Sequence, residues 1–421
     1  MRVVHLVHSY PPEFRGGTEA CVETLAAAQL ARGDEPLVIS GSDVRMESGA
    51  RAGGVADEVS REHVGHIPVW RLRRRPEENY SVDARLPRMG DLVLRLLEES
   101  GPAVVHLHHT LNLTSDLASR ILSAGIPVVA TLHDYTLVCA RFFLVRPDGE
   151  SCASHFPLPS RRCFECVLPD FPGGAEQLEH ELRDKAACAP VEAEALSSAI
   201  VPSQLAAKHW EQSGLFRAHQ LEVVPHAPGI GGSKALHSPV EGRLRLGTWG
   251  HLAPTKGVHD LLEALRELPS KAVSLRVFGA PTDPAYGEEL KKLAEGLDVT
   301  FTGSYRSEEL REAAAGIDLA VFPSRAEETF GLVVAEARAL GIPVVTSDRG
   351  ALPEGVGSAG ASVAAASPQA LADLLREILE DPSRLAAWRA ATAQELLDPA
   401  SHADLVDAVY QRAIDTYRES R

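Results

Sequence analysis

Residues 328–338 read ETFGLVVAEAR and place two glutamates, Glu328 and Glu336, on either side of a glycine turn. A strand-like run, LAVFPS, lies just before them at 319–324, and the apolar residues after Gly331 predict the start of a helix. A strand, a glycine turn and a helix N-terminus together direct backbone N–H groups at one point, which suits an anion. A ligand with a charged middle and hydroxyl-bearing ends, such as a nucleotide-sugar, would use both the amides and the two carboxylates. For two glutamates taken alone, solvated surface charges are the simpler alternative.

Length and composition limit the classes of protein that fit. At 421 residues the chain exceeds one typical core, so two domains are expected. The hydrophobic fraction of 44% and the charged fraction of 24% are typical of soluble globular proteins, and a formal charge of −16 argues against nucleic-acid binding. The first eight residues are too short and too polar an apolar run for a signal peptide. No stretch approaches the ~20 apolar residues of a membrane span, so a cytoplasmic protein is predicted.

One dense basic run stands out in this acidic chain, at Arg71, Arg73, Arg74 and Arg75 beside Trp70. A solvated strand end is the ordinary interpretation. The alternative is peripheral contact with a membrane surface, because clustered arginines attract anionic lipids.

Both halves of the chain open with a β-type run, a glycine loop and a helix, which is how a Rossmann-type βα unit begins. In the first half, residues 2–8 lead to Gly16-Gly17, and Thr18 is expected to cap a helix from 19 to about 32. In the second half, the unit comprises a strand, a loop and an amphipathic helix, predicted at 244–249, 250–257 and 258–268.

Further short β-branched runs alternate with helical stretches and predict parallel sheets covered on both faces. The join between the domains is expected between 203 and 240, where residues 229–238 read as a linker. Apolar residues at helical spacing predict a last helix at 403–419. The remaining predicted strands are 36–40, 66–72, 103–108, 127–132, 198–202, 222–225, 274–279, 319–323 and 343–346.

The block around Glu328 and Glu336 resembles the nucleotide-sugar site of retaining glycosyltransferases of family 4, which have the GT-B fold. In that family a Glu-x7-Glu motif follows a Pro-Ser strand end and precedes Gly-x-Pro-Val-Val, which is Gly341-Ile342-Pro343-Val344-Val345 here. The resemblance covers roughly residues 1–395. It implies an α/β protein with two Rossmann-like domains facing each other across a cleft, and a C-terminal helix that crosses back to the first. The implied parts are 1–205 on the acceptor side, 206–400 for the nucleotide-sugar and 401–421 for the helix.

The resemblance also implies roles in the second domain. Glu336 would hold the ribose hydroxyls, Glu328 would lie near the sugar, and the amides of Phe330, Gly331 and Leu332 would meet phosphate and sugar oxygens.

A second motif, Pro254-Thr255-Lys256-Gly257, matches the family loop whose lysine contacts the diphosphate. An ammonium group suits the departing nucleoside diphosphate, because its negative charge grows as the glycosidic bond breaks. The family usually has arginine directly after the preceding glycine, Gly250, but this chain has His251. A neutral imidazole neutralises less charge than a guanidinium, although a protonated His251 would compensate in part.

In the first domain, the resemblance implies that the Gly16-Gly17 loop faces the donor diphosphate and the acceptor. It implies that His133, in Leu132-His133-Asp134, faces the transferred sugar. A hydrogen-bonded structural histidine is the alternative for His133, and structural roles are at least as good an interpretation for His106, His108 and His109. No Asp-x-Asp motif occurs at a predicted strand end, which favours transfer without a catalytic divalent metal.

Four cysteines, Cys139, Cys152, Cys163 and Cys166, cluster in a predicted insertion at 139–190. Without a signal peptide a disulfide framework is not expected, and four thiols including a Cys-x2-Cys pair suit a structural zinc site. An iron–sulfur centre and free thiols remain alternatives. A subset of family 4 resembles this arrangement, with a cysteine-bearing insertion after His-Asp-Tyr.

Together the motifs predict a retaining transferase that moves a sugar from a UDP- or GDP-type donor to a glycan, lipid-linked or small-molecule acceptor. Cell-surface polysaccharide or glycoconjugate biosynthesis is the expected setting. The alternatives are a nucleotide-sugar epimerase of the same fold and a non-catalytic sugar-nucleotide-binding protein.

Overall fold

The computed structural model describes residues 1–42, 44–46, 58–75, 78, 85–154, 156, 160–230, 243–269, 271–394 and 396–419. The chain divides into two compact units, each built around its own sheet. The first comprises Met1–Phe143, Ala153–His226 and Asp398–Arg421, and the second comprises Leu144–Cys152 and Ala227–Leu397.

The first unit contains an eight-stranded sheet. Its strands are β1 Arg2–Val7, β2 Glu35–Gly41, β3 Val59–Val64, β4 Ile67–Leu72, β5 Val104–Leu107, β6 Val128–Thr131, β7 Ser198–Val201 and β8 Leu221–Val223. Their order is β3-β4-β2-β1-β5-β6-β7-β8, and every pair is parallel except β3 with β4. The helices of this unit are Gly17–Ala31, Pro87–Ser100, Leu117–Ser123, Arg161–Val167, Gly174–Ala195, Gln204–Ser213 and Pro399–Glu419.

The second unit contains a six-stranded sheet that is parallel throughout. Its strands are β9 Leu244–Trp249, β10 Val273–Phe278, β11 Val299–Gly303, β12 Leu319–Phe322, β13 Val344–Ser347 and β14 Gly360–Val363, in the order β11-β10-β9-β12-β13-β14. Its helices are Val258–Arg266, Pro284–Leu293, Ser307–Ala314, Leu332–Ala339, Leu352–Val356, Pro368–Glu380 and Ser383–Ala391. The molecule is therefore a mixed α/β protein with two parallel-sheet units, as the alternating pattern predicts.

The last helix lies in the first unit, because its apolar face completes the core beneath the first sheet. Val406, Val409 and Tyr410 are buried against Val3 and Val104 of the neighbouring strands β1 and β5. Side chains of this size in contact with two central strands hold the helix in place through burial of apolar surface.

The boundaries between the two units lie at different residues from the predicted boundaries at 205/206 and 400/401. Residues 206–226 remain in the first unit because β8 is hydrogen-bonded to β7 and extends the first sheet. Most of the predicted linker at 229–238 falls outside the described residues.

Three strands were not predicted, and all three lie at sheet edges: β3, β11 and β14. β3 reads VSREHV and has three consecutive exposed residues, and β11 alternates partly buried and exposed residues. An edge strand buries less apolar surface than a central one, so its sequence shows a weaker hydrophobic pattern.

The first helix begins one residue earlier than Thr18, the predicted cap. Its cap is Gly16, whose N–H donates to the Glu19 carboxylate at 2.8 Å. The helix start is thus closed by a glutamate in the first turn and not by the threonine hydroxyl.

Two of the four arginines of the basic run are buried. Arg71 and Arg74 are only 3% and 6% exposed, and Arg71 donates to the carbonyl oxygens of Tyr10, at 2.8 Å, and of Pro11. Because Arg71 supports the loop after β1, its charge is not available to a membrane surface. In the described part of the chain, no helix combines the length and apolar character needed to span a bilayer.

Candidate functional site

The topology of the second sheet marks where a ligand would bind. β9 has β10 on one side and β12 on the other, so the strand order reverses between β9 and β12. In open parallel sheets, ligands bind at the carboxyl ends of strands at such a switch point. The loops that leave these two ends are 250–257 and 323–331, which contain most of the predicted donor-site residues.

These two loops meet through an ion pair. Nζ of Lys256 lies 2.6 Å from Oε1 of Glu328, and the hydroxyl of Ser324 donates to the same carboxylate oxygen at 2.8 Å. The close approach depends on Gly257, which has a positive φ of 69°, since a Cβ there would lie 2.0 Å from the carbonyl oxygen of Pro323. The structure therefore brings together the residues predicted for the diphosphate and for the sugar.

Gly331 is the N-terminal cap of the helix Leu332–Ala339 and has a left-handed φ of 80°. A Cβ on Gly331 would lie 2.5 Å from Cδ2 of Leu352, so both the backbone conformation and the packing require glycine. This helix is the one that follows β12 in the chain, and the first N–H groups of a helix can meet an anion.

Glu336 lies within that helix and is held by a residue that the sequence analysis did not single out. Nε1 of Trp249, the last residue of β9, donates to Oε2 of Glu336 at 2.9 Å. Burial raises the pKa of Glu336 to about 7, while the indole hydrogen bond opposes the shift. Near neutral pH the carboxyl group therefore exists in both protonation states. The sequence feature that could have pointed to Trp249 is its position, since it is an aromatic residue directly before Gly250.

Glu327 is a second residue that sequence reasoning missed. It is 7% exposed, accepts the N–H of Gly350 at 2.9 Å and accepts the hydroxyl of Ser151 at 2.5 Å. The N–H of Ala351 donates to the carbonyl oxygen of Glu328 at 2.7 Å. These bonds fix the backbone from which the Glu328 side chain extends. His251, by contrast, is exposed in the loop after β9.

The first sheet has its own switch point between β1 and β5. Gly16 and Gly17 follow β1, and the Glu19 carboxyl that caps them lies 3.3 Å from Nε2 of His8. Burial raises the pKa of Glu19 to about 7 and lowers the pKa of His8 to about 3. His8 is therefore neutral at physiological pH, so this contact is not an ion pair.

His133 follows β6 and is hydrogen-bonded to another histidine. Its Nε2 lies 3.0 Å from Nδ1 of His108, and its ring stacks on His226 with centroids 5.0 Å apart. Burial lowers the pKa of His133 to about 3. A neutral imidazole suits contact with hydroxyl groups better than stabilisation of a departing phosphate.

His133 and the polar residues near it line a pocket within the first unit. His109 Nε2 lies 3.1 Å from Oδ2 of Asp134 and 3.1 Å from the Thr136 hydroxyl. Burial of Asp134 opposes ionisation, but its contacts with His109 and Thr136 hold its pKa well below the usual range. His106 is fully buried with both nitrogens hydrogen-bonded, to Tyr410 and Thr131, which fits a structural role.

Among the residues that the structure describes, two groups of side chains, both in the first unit, have possible metal-ligand atoms within 4.8 Å of one another. In the first group, the ring nitrogens are engaged in hydrogen bonds. In the second, Nε2 of His133 is engaged with Nδ1 of His108, and the rings of His133 and His226 are stacked, only 20° from parallel. We assign no metal to either group. The first group is His5, His106 and His108, and the second group is Cys21, His133 and His226.

The four cysteines predicted to bind zinc are not gathered into such a group. Cys139, Cys163 and Cys166 lie in the first unit and belong to neither set, whereas Cys152 belongs to the second unit. All six cysteines are within the described residues, and they form no disulfide. The zinc site stays a prediction.

Known proteins resemble the chain in both units. A family described as Glycosyltransferase Family 4 matches residues 15–227, and one described as Glycosyl transferases group 1 matches residues 243–381. Among curated proteins, sulfoquinovosyl transferase SQD2 of Arabidopsis thaliana is 40% identical over 98 residues, which are 23% of this chain and 19% of that protein. D-inositol 3-phosphate glycosyltransferase of Corynebacterium urealyticum is 34% identical over 160 residues, which are 35% and 37% of the two chains. The matched stretches thus span well under half of these relatives.

Among solved structures, Anabaena HepE in complex with UDP and glucose superimposes with a TM-score of 0.62 and 22% identity, over 100% of both chains. This likeness concerns the GT-B fold. The Family 4 match extends over half of the chain and includes the Gly16-Gly17 loop and His133. The protein therefore belongs to glycosyltransferase family 4.

Proposed function

We propose that this protein is a hexosyltransferase that moves a sugar from a nucleotide-sugar to an acceptor hydroxyl with retention of configuration. The observation that supports this best is the Lys256–Glu328 ion pair at the switch point of the second sheet, next to the helix that Gly331 caps and that contains Glu336. Cationic, acidic and amide groups in one place match the diphosphate, the hydroxyls and the phosphate oxygens of such a donor.

Each group has a defined part in donor binding. Glu336, oriented by Trp249, accepts hydrogen bonds from the ribose hydroxyls, and Glu328 lies beside the sugar. The amides of Phe330, Gly331 and Leu332 receive phosphate and sugar oxygens. Lys256 contacts the diphosphate, and the loop of Gly250 and His251 borders it.

The reaction then needs one bond to break and one to form on the same face of the sugar. The bond from the anomeric carbon to the leaving phosphate breaks, the acceptor oxygen bonds to that carbon, and the acceptor proton passes to a phosphate oxygen. Lys256 and the helix start stabilise the charge that accumulates on the diphosphate, without a catalytic divalent metal. In the first unit, neutral His133 accepts a hydrogen bond from a sugar hydroxyl.

The donor is of the UDP or GDP type; HepE, a structural neighbour, was crystallised with UDP-glucose. The acceptor is a glycan, a lipid-linked glycan or a small molecule, and the curated relatives include a D-inositol 3-phosphate glycosyltransferase. Synthesis of a cell-surface polysaccharide or glycoconjugate is the setting we propose.

Incubation with UDP-glucose or GDP-mannose in the absence of acceptor tests the reaction class. A transferase should release nucleoside diphosphate slowly and yield the α-anomer of the free sugar first. An epimerase would produce a new sugar isomer, and a binding protein would produce neither; either result would contradict the proposal.

EDTA should leave the initial rate within about twofold, whereas a large loss restored by magnesium would contradict metal-independent transfer.

The raised pKa of Glu336 predicts a pH dependence of donor binding. Below about pH 7 its carboxyl is protonated, and above it the carboxylate accepts the ribose hydroxyls more strongly. The affinity for UDP-glucose should therefore rise by up to about tenfold between pH 6 and pH 8, as the charged fraction of this group increases. Calorimetry across this range measures the effect. Glu336→Gln should flatten the profile, and an affinity that falls with pH in the wild type would contradict the assignment.

Structural zinc bound by Cys139, Cys152, Cys163 and Cys166 is a separate proposal, supported by their spacing. Protein purified without chelator should contain about one zinc per chain. Cys163→Ser should lower zinc content and melting temperature together. Cys188→Ser, in the helix Gly174–Ala195, is the matched control and should leave the zinc content unchanged. A zinc-free protein with the same melting temperature would refute this proposal.

A further inference from the structure

A chain of hydrogen-bonded side chains connects the first helix with His133 inside the first unit. Nε2 of His5 lies 2.7 Å from Oε1 of Gln29, and Nδ1 of His5 lies 3.0 Å from Nε2 of His108. Nδ1 of His108 in turn lies 3.0 Å from Nε2 of His133. Gln29 and His5 are completely buried and His108 is 6% exposed, so neighbouring side chains replace water as their partners.

Each imidazole of this chain is neutral at pH 7. Burial lowers the pKa of His5 to about 4 and of His133 to about 3, and it holds the pKa of His108 well below the ordinary value. A neutral imidazole has one N–H donor and one lone-pair acceptor, so the role of one nitrogen determines the role of the other.

The amide oxygen of Gln29 sets the direction of the chain, because an amide oxygen only accepts hydrogen bonds. Nε2 of His5 must therefore carry the proton, and its Nδ1 must accept. His108 then donates from Nε2 and accepts at Nδ1. His133 consequently donates from Nε2 and has its lone pair on Nδ1.

The contacts on the other side of Gln29 agree with this orientation of the amide. Nε2 of Gln29 lies 3.4 Å from the Tyr410 hydroxyl, which is left to donate to Nδ1 of His106 at 2.6 Å. Nε2 of His106 then donates to the Thr131 hydroxyl at 2.7 Å. The imidazole N–H groups of this network and the Tyr410 hydroxyl thus each meet an acceptor, as buried polar groups require.

We propose that Gln29 is a positioning residue that fixes the tautomer of His133 through His5 and His108. Nδ1 of His133 then presents a lone pair to a hydroxyl donor. That this donor is a sugar hydroxyl rests on the proposed function, whereas the tautomer itself does not. Gln29 touches no substrate; its effect on His133 passes through two other rings.

Long-range ¹H–¹⁵N spectra of histidine-labelled protein test the proposal without any assay of activity. In the wild type, the signal that disappears in His133→Gln should show a proton on Nε2 and none on Nδ1. A proton on Nδ1 would mean that the chain runs in the opposite direction, and a mixture of tautomers would mean that Gln29 does not control it. Either result overturns the proposal.

Gln29→Leu and Tyr410→Phe separate tautomer control from general structural support. Gln29→Leu removes the amide oxygen that sets the direction of the chain, so His133 should lose its single tautomer and become a mixture. Tyr410→Phe removes a buried polar group on the other side of the network, and His133 should keep the Nε2–H form. Equal behaviour of the two variants would contradict the inference. If Gln29→Leu does not fold, the wild-type spectrum alone decides which tautomer His133 adopts. Release of nucleoside diphosphate by the wild type reports separately on the proposed function.

Discussion

Lys256→Ala is expected to lower the turnover of donor about 10²-fold, the usual cost of removing one group that stabilises transition-state charge. Two effects act in the same direction. The variant loses the ammonium group beside the departing diphosphate, and it leaves the Glu328 carboxylate without the cation that lies 2.6 Å from it. The turnover number for hydrolysis of UDP-glucose, measured at saturating donor, reports the loss.

Two further variants make this result specific. Lys291→Ala removes a lysine that is also paired with a glutamate, Glu288 at 2.7 Å, on the exposed surface of the helix Pro284–Leu293, and it should leave turnover unchanged. If the unpaired Glu328 carboxylate contributes repulsion, the Lys256→Ala/Glu328→Ala double variant should lose less than the sum of the two single losses. A decrease of less than about threefold in Lys256→Ala would exclude it as the main diphosphate group.

Glu336→Ala is expected to weaken binding of the nucleoside diphosphate itself by about 1–3 kcal/mol, the range for a lost charge-assisted hydrogen bond. That corresponds to an increase of about 5- to 150-fold in Kd, which calorimetry with UDP or GDP measures. Glu328→Ala should leave the affinity for the diphosphate unchanged and lower turnover, because the proposal places Glu328 beside the sugar.

The exposed Glu312 provides a control for nonspecific charge effects, since Glu312→Ala removes a carboxylate from another helix of the same unit. It should change neither affinity nor turnover. If Glu336→Ala and Glu328→Ala also bind and turn over donor like the wild type, the donor-site assignment is wrong.

Much of the fold follows from local sequence patterns. The central strands are short β-branched runs that are buried on both faces, and the predicted runs at 244–249 and 319–323 match β9 and β12 to within one residue. The edge strands β3, β11 and β14 were missed because half-exposed strands have no continuous apolar run. Propensity and burial pattern are local properties, and they are strongest where a strand has neighbours on both sides.

The candidate site likewise has a part that local sequence patterns predict and a part that only the folded structure shows. The order of loop, glycine and helix start places Lys256, Glu328 and Gly331 at one end of the second sheet, and that follows from the motifs and the βα pattern. The contacts of Trp249 with Glu336 and of Glu327 with Gly350 did not follow, because each joins segments that are distant along the chain.

The sequence by itself determined the α/β class, the two repeated βα openings and the residue types available to a nucleotide-sugar. Only the tertiary structure decided the state of those residues: that Lys256 is paired with Glu328, that the pKa of Glu336 lies near 7, and that His133 is neutral at the end of a histidine chain. The physical reason is that protonation and hydrogen-bond direction depend on desolvation and on partners brought together by folding. Gln29 and His133, which are 104 positions apart, interact through two intervening rings that no local pattern connects.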